Sequence, residues 1–317
     1  MKLLVVIVHY RTPALAVECL RSVAPEIAAI PGSRVVVVEN ASGDGSAEQI
    51  AAALRSEGWT GWASLLVAER NGGFAYGNNQ ALRAALASED PPEFVQLLNP
   101  DTLLRPGALR ALLEFMERHP DVGIAGSRLE DRDGSIQCSS FRFYSLAGEL
   151  DGTIGLGIVS RLLAASVVAP PAREEAHPTD WVCGASMMIR RRVFEDAGLF
   201  DEQYFLYFEE ADFCLQARRA GWPCWYVPES RVVHLGGQST GMNDLSTPMP
   251  PFWFTSRRHY LLKNHGGTYL LAANLIWLAG FASWRLRRRL QRKPDTDPPR
   301  MMSDFLRLSF RAPGDDR

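Results

Sequence analysis

Glu209, Glu210 and Asp212 follow directly on a row of aromatic rings, Tyr204, Phe205, Tyr207 and Phe208. Apolar surroundings penalise the charged form of a carboxylate and raise its pKa, which suits a general base. The same acids also fit the first turn of a helix, where they complement the dipole, with the rings as core. Sequence alone leaves these two readings level, and at least two of the four rings are expected in the core. Asp101 comes after Pro100 and the buried-type run 94–98. The proline restricts the backbone, so Asn99 and Asp101 are held at a sheet edge. A carboxylate fixed there suits Mg2+ or Mn2+, or caps the next turn. His234 stands before Gly236 and Gly237 in a motif that ends Gln238-Ser239. Metal ligation and a structural role are equally open for it.

These groups need a frame. Residues 3–8 are a continuous run rich in β-branched residues, as a strand buried on both faces is, and further strands are read at 34–38, 64–68, 94–98 and 122–127. Helical spacing follows Thr12-Pro13, runs on from the glycine-rich segment 71–79 to about residue 87, and fills 106–119. Alternating strands and helices predict an α/β fold with a mostly parallel sheet. Ligands bind such sheets beyond the carboxyl ends of the strands. The polar clusters sit at those ends: His9-Tyr10, Glu39-Asn40, residues 71–79 and residues 99–101. Any one of them alone reads as a tight turn. Further strands are expected at 181–189, 224–227 and 231–233, a hairpin turn at 131–134, and an irregular stretch over 128–180.

Composition narrows the classes. A net charge of -2 leaves no global nucleic-acid footprint, so no nucleic-acid partner is expected. The 46% hydrophobic and 22% charged content is that of a globular chain. Its five cysteines form no Cys-x-x-Cys pair, which argues against a zinc knuckle or disulfide framework and for a reducing compartment. Neither a Walker pattern nor a Gly-x-Gly-x-x-Gly fingerprint is present. The N-terminal apolar run is short and lacks a small-residue cleavage site, so it reads as a strand.

The motifs in order are Val-His-Tyr-Arg-Thr, Val-Glu-Asn-Ala-Ser-Gly-Asp-Gly-Ser, Asn-Gly-Gly-Phe-Ala-Tyr-Gly-Asn-Asn and Leu-Asn-Pro-Asp. Then come Gly-Leu-Phe-Asp-Glu-Gln-Tyr-Phe-Leu-Tyr-Phe-Glu-Glu-Ala-Asp and His-Leu-Gly-Gly-Gln-Ser. Over residues 3–240 the chain resembles the family 2 glycosyltransferases of the GT-A fold, and within them the rhamnosyltransferase-like members that build bacterial surface polysaccharides. The resemblance implies a catalytic domain over 1–240, with a nucleotide-sugar half (1–127) and an acceptor and catalytic half (128–240). It implies that His9, Tyr10, Arg11, Glu39, Asn40, Asn71, Gly73, Phe74, Asn78 and Asn99 bind the nucleotide sugar. Asp101 and His234 would hold Mg2+ or Mn2+. Glu210 would be the base, with Glu209 and Asp212 beside it. Trp181, Gly184, Tyr207, Arg257 and Lys263 are candidates for acceptor or leaving-group contacts. Three residues depart from the family pattern. Glu39 stands where Asp is usual, Asn99 replaces the first Asp of the Asp-x-Asp motif, and Glu210 replaces Asp.

Residues 251–265 carry a basic helical face that either meets a diphosphate or is simply solvated. Residues 268–284 are apolar and precede six basic residues, Arg285 to Lys293. This run is short for a span, and one crossing would put the arginines on the wrong side. A helix lying on the inner leaflet is therefore expected over 251–293, with arginines on anionic headgroups and a flexible tail over 294–317. The alternative is a bundle or dimer helix, which keeps a homodimer among the expected partners. The leading expectation is an inverting, metal-dependent transferase. It would move a sugar, rhamnose first, from a dTDP- or UDP-sugar to a glycan or polyprenyl-linked acceptor, in the cytoplasm at the inner face of the plasma membrane. The runner-up is a non-catalytic nucleotide-sugar-binding scaffold. A nucleotidyltransferase would need a basic glycine-rich loop that His9 to Pro13 does not supply.

Overall fold

The computed structural model describes residues 1–236 and 246–310 of the chain. Gly237, Gln238 and Ser239, which close the last motif, lie outside the described residues, as does the end of the tail.

The first half alternates as the periodicity predicts: β1 (Leu3–His9), α1 (Pro13–Ala29), β2 (Ser33–Glu39), α2 (Ser46–Ser56), β3 (Ala63–Val67), α3 (Gly73–Leu86) and β4 (Phe94–Leu98). β1 pairs in parallel with β2 and with β4, and β2 with β3. Leu3, Val5 and Ile7 point into a core shared with Cys19, Leu20 and Val23 of α1 and Ile50 of α2. On the alternate positions Val8 meets Gly77 of α3, where a Cβ would lie only 2.6 Å from the valine. Two buried faces explain the unbroken apolar run of β1 and the near-unbroken one of β4.

β5 (Thr102–Leu104), α4 (Ala108–Arg118), β6 (Ile124–Glu130), β7 (Ile136–Gln137) and β8 (Ser140–Phe141) follow, then α5 (Leu146–Ile154) and α6 (Gly157–Leu162). The chain returns through β9 (His177–Thr179), β10 (Trp181–Val182), β11 (Ser186–Arg190), α7 (Arg191–Ala197), α8 (Glu209–Arg219) and β12 (Cys224–His234). The main sheet runs β3-β2-β1-β4-β11-β6-β12-β5. β11 is antiparallel to both β4 and β6, so the sheet is mostly rather than wholly parallel.

Three expectations change. The run 181–189 is two strands, because Cys183-Gly184-Ala185 turns the chain between β10, which pairs with β8, and β11. The runs 224–227 and 231–233 are one strand with a register shift between Val227 and Arg231, where Pro228 cannot donate to the ladder. The stretch 142–170 contains α5 and α6, whose glycines weaken the helical signal.

The chain divides into two compact units. The first takes Met1–Phe141, Pro171–Phe205 and the stretch from Glu209 through β12. The second takes Arg142–Pro170, Leu206–Phe208 and the C-terminal helices α9 (Pro251–His265), α10 (Gly267–Leu290) and α11 (Met301–Ser309). The division differs from the boundaries read in the sequence: residues 142–170 pack with the C-terminal helices. In the second unit Trp277 stacks on Phe305 with ring centroids 3.7 Å apart, and Phe254 and Phe281 complete the core. No described helix is long and apolar enough to cross a membrane. One face of α10 is buried, while Leu271, Leu275, Leu286 and Leu290 form an exposed stripe.

Candidate active site

The strand ends, the glycine-rich segment, the turn 183–185 and the acids of α8 all lie in the first unit. β1 ends in His9, fully buried, and β2 in Glu39 and Asn40. The His9 carbonyl accepts the Asn40 N–H at 2.9 Å, which ties the two strand ends together. The Thr12 N–H donates to His9 Nδ1 at 3.3 Å, leaving the proton on Nε2, and this buried Nε2 has no hydrogen-bond partner. Burial pushes the His9 pKa down, against the pull of Glu39 and Asp44. Glu39 Oε1 accepts the Ser42 N–H at 2.6 Å. Arg11 and Ala41 both adopt left-handed φ of 55°, a conformation that non-glycine residues hold at a cost. Arg11 lies over the Tyr10 ring at 5.1 Å and is exposed.

The glycine-rich segment closes the next side. The Asn40 amide donates to Asn71 Oδ1 at 3.0 Å and to the Gly73 carbonyl at 3.1 Å, while its own Oδ1 is buried and unpartnered. Gly73 has φ +83°, and a Cβ there would fall 1.7 Å from the Phe205 carbonyl oxygen. The Phe74 N–H donates to that same oxygen at 3.0 Å. Asn78 spends its amide on the Phe74 carbonyl at 2.9 Å, inside its own helix. Its neighbour Asn79 grips the loop ahead of the acids: Nδ2 donates to the Phe200 carbonyl at 2.8 Å and Oδ1 accepts the Phe200 N–H at 3.2 Å. In the sequence Asn79 stands only within the polar cluster 71–79, not among the residues expected to bind the donor. The Asn-Asn doublet was its only signal, and nothing in one sequence says which of the two faces a distant loop.

The turn 183–185 joins the remaining pieces. The Ala185 carbonyl accepts the Asn99 N–H at 3.1 Å. The Gly184 N–H bonds Glu210, and the Phe74 ring packs so near Gly184 that a Cβ there would meet its Cζ at 3.0 Å. Burial pushes the Cys183 thiol up to about 12, and the charges of Glu210, Asp101 and Glu209 add to it. Both acid sets therefore lie within electrostatic reach of one turn. Antiparallel pairing of β5 with β12 sets Thr102 opposite His234, and His234 Nε2 comes to 3.6 Å from Asp101 Oδ1. Gln137 holds the imidazole from its other side, at 3.3 Å from Nδ1. Burial lowers the His234 pKa, against Asp101 and Asp131, so the ring is neutral and able to ligate.

Glu209 and Glu210 open α8 side by side. Glu209 is buried, its neighbour half-buried, and each has an Oε2 closed from solvent with no partner. Burial, then the adjacent Glu210 charge, drives Glu209 well above the usual carboxylate range; burial raises Glu210 as well. Asp212 is buried, and its Oδ1 accepts from Gln216 at 3.2 Å. Tyr204 and Phe208 are buried, so two of the four rings are packing, as expected.

Residues 2–259 match the family described as Glycosyltransferase like family 2. The chain belongs to that family. This family 2 chain is 29% identical over 201 residues to N-acetylglucosaminyl-diphospho-decaprenol L-rhamnosyltransferase of Mycobacterium tuberculosis (strain ATCC 25618 / H37Rv). That alignment covers 62% of the chain and 61% of the relative, so it spans less than two thirds of the relative's length. Among solved structures, S. aureus TarS 1-349 in complex with UDP-GlcNAc gives a TM-score of 0.57 at 15% identity, covering 97% of this chain and 79% of that one. Mannosyltransferase PcManGT from Pyrobaculum calidifontis, in complex with GDP-Man and Mn2+, gives 0.56 at 15% identity, covering 92% and 75%. Both show the fold, which is GT-A-like.

Within the family 2 frame, a divalent ion is tested by its donor set. One carboxylate and one neutral imidazole, too far apart to hydrogen-bond, make an incomplete shell of the kind that substrate phosphates and water complete. Asp101 and His234 fit it. Four buried orphan atoms, His9 Nε2, Asn40 Oδ1, Glu209 Oε2 and Glu210 Oε2, also fit a ligand-binding cleft, since buried polar groups are otherwise almost always paired. Some acceptor-side expectations fail. Arg257 is 2% exposed and held by Glu149 at 2.9 Å and Asn274 at 2.8 Å within the second unit, so it does not offer its charge to a diphosphate. Arg258 and Tyr260 are buried too, and α9 has no solvated basic face there. Trp181 is buried with its ring stacked on Phe141 at 4.1 Å. Gly184 sits at the acids. Tyr207 and Lys263 belong to the second unit, the first half-buried and the second exposed.

Proposed function

We propose that this chain is an inverting glycosyltransferase, moving a sugar, rhamnose first among candidates, from a nucleoside-diphosphate sugar to a glycan or lipid-linked acceptor in cell-surface polysaccharide synthesis. The observation that carries the reading is the turn 183–185, bonded to Asn99 on one side and to Glu210 on the other. It supports the reading that a candidate base, Glu210, and a candidate metal ligand, Asp101, two residues from Asn99, share one cleft at the carboxyl ends of the strands. His9, Glu39, Asn40, Asn71 and Gly73 line the donor side. Glu210, with its raised pKa, is basic enough to take the proton of an acceptor hydroxyl as that oxygen attacks the anomeric carbon. Attack opposite the leaving diphosphate inverts the centre. Mg2+ or Mn2+ held by Asp101 and His234 would supply positive charge to the departing diphosphate. The loop 200–205, clamped by Gly73, Phe74 and Asn79, fixes where α8 and its acids begin.

The acceptor reading leans on a membrane surface. Leu271, Leu275, Leu286 and Leu290 recur at helical spacing along the exposed side of α10, and such a face lies in a bilayer interface rather than across it. The arginine cluster contributes less than its sequence promises. Arg288 is 3% exposed and paired with Asp295 and Asp297, both at 2.7 Å, and Arg287 bonds the Ile154 carbonyl. Arg289, Arg292 and Lys293 stay exposed, which suits anionic lipid on the inner face of the plasma membrane.

A thermal-shift screen of nucleotide sugars with and without Mn2+ tests the donor reading. One donor should stabilise the native protein, more so with Mn2+, and Asp101→Asn should lose the Mn2+ increment but not donor binding. A native protein that no nucleotide sugar stabilises would sink the proposal.

A further inference from the structure

Glu130 ends β6 with its side chain fully buried, and three guanidinium groups converge on it. Arg231 of the neighbouring β12 grips it with two hydrogen bonds, Nε to Oε1 at 2.6 Å and Nη2 to Oε2 at 3.1 Å. A bidentate fork of this kind satisfies a carboxylate by itself. The other two arginines contribute charge but no hydrogen bond. Arg128 Nε lies 2.9 Å from Oε1 and Arg105 Nε 3.7 Å from Oε2, yet neither nitrogen makes a hydrogen bond. Nor do the Nη groups of Arg105 and Arg128 hydrogen-bond any described residue. Side-chain exposures of 42%, 22% and 49% for Arg105, Arg128 and Arg231 leave all three reachable from solvent.

The pairing makes this arrangement costly unless something anionic arrives. Arg231 and Arg128 are direct register partners across parallel strands, and the Arg105 N–H is tied to the Arg231 carbonyl at 3.0 Å. Like charges set opposite one another destabilise a sheet. Burial alone would push Glu130 up, but the Arg231 hydrogen bonds and the charges of Arg231, Arg128 and Arg105 hold it below the usual carboxylate range. It is therefore ionised at neutral pH. Three positive charges on one negative leave a net +2. Arg231 alone already satisfies the carboxylate with two hydrogen bonds. Guanidinium groups fanned in advance over a buried acid are the preorganised form of a phosphoryl-binding cluster.

We propose that Arg105, Arg128 and Arg231, spread by Glu130, form an anion subsite for a phosphate or diphosphate group. It goes beyond the donor site described above. Arg231 lies three residues before His234, about 10 Å along the strand, so the subsite is separate from the Asp101–His234 pair. A phosphoryl group there belongs either to a soluble phosphate ester or to an anionic lipid headgroup.

The test uses the full chain, chelator and low salt, with inorganic pyrophosphate titrated calorimetrically. In parallel, sedimentation is followed with phosphatidylglycerol and phosphatidylcholine vesicles. The double variant Arg105→Gln/Arg128→Gln keeps Arg231 on Glu130. A soluble ligand is indicated if the native protein binds pyrophosphate without metal and the double variant binds at least about tenfold more weakly. A lipid source is indicated if pyrophosphate does not bind but the phosphatidylglycerol-specific sedimentation falls by a similar factor in the double variant. Unchanged binding of both probes in the double variant overturns the proposal, and so does a native protein that binds neither. Loss of metal-free pyrophosphate binding in Asp101→Asn also overturns it, because the anion would then belong to the nucleotide cleft. Should the double variant melt early, Arg105→Gln alone decides: its side chain makes no hydrogen bond to Glu130, and undiminished binding in it counts against the subsite.

Discussion

Replacing Glu210 by Gln removes one proton acceptor and changes almost nothing else. The amide keeps the side chain's shape, and its oxygen can still accept the Gly184 N–H that bonds Glu210 in the native protein. One acid of a closely set carboxyl pair becomes neutral, so the fold should lose no stability. The whole effect then falls on chemistry. A positioned general base is worth about 10²–10⁴ in rate, which is ~2.7–5.4 kcal/mol of transition-state stabilisation. Transfer should be measured under single-turnover conditions with the donor that the thermal-shift screen selects, across a range of pH. Native turnover should rise with pH through the elevated ionisation of the Glu209–Glu210 pair and then level off, because the base must be unprotonated to act. Glu210→Gln should lose that rise together with its rate, while its donor affinity stays as it was. Turnover within about threefold of native, with the pH profile intact, would refute the assignment of Glu210 as base.

Glu209→Gln tests the burial of the acid pair through stability. A carboxylate whose folded pKa is raised stabilises fully below its unfolded value, near 4.3, and loses that contribution as pH rises through the folded value. Urea unfolding should therefore show the variant and native protein equal near pH 4 and the variant more stable at neutral pH. Gly73→Ala places a Cβ against the Phe205 carbonyl at a left-handed φ, and should cost about 2–5 kcal/mol of folding stability in the same assay. The paired change Leu275→Asp/Leu286→Asp should release the protein from anionic vesicles in a sedimentation assay while leaving its melting temperature within a degree or two, since both leucines are more than half exposed.

Much of the frame was legible because its signals are local. A β-branched run such as residues 3–8 needs two buried faces, and the sheet supplies them. Thr12-Pro13 starts α1 at Pro13, as its fixed φ dictates. What stayed hidden depends on contacts far apart in sequence. Burial of Arg257 is set by Glu149 and Asn274, neither of which announces itself as its partner. The arginine run ending α10 reads as one basic cluster, yet Arg288 folds inward onto Asp295 and Asp297 from the tail. β11 hides its antiparallel direction because a short buried strand has the same composition either way. The turn 183–185 that this reversal creates is the piece of the site with the weakest signature: three small residues, with nothing to say they would meet Asn99 and Glu210.

Under the proposed function, the acids of this cleft would divide their work by distance. Among the described residues, no three His, Cys, Asp or Glu side chains are grouped so as to hold a metal ion. Asp101 and His234 stand as a pair, and Glu209 and Glu210 as another, each pair linked to the turn 183–185 or its neighbour Asn99 rather than to the other pair. That separation matters chemically. A carboxylate that ligates a cation is held ionised and is a poor base. A carboxylate buried beside a second carboxylate, away from any cation, takes up a proton readily. Had the four groups converged on one point, a bound cation would have lowered the pKa of the very group proposed to accept the hydroxyl proton. Spread across one turn, the same residues suit the proposed division: charge for a departing diphosphate at one end and a basic oxygen at the other.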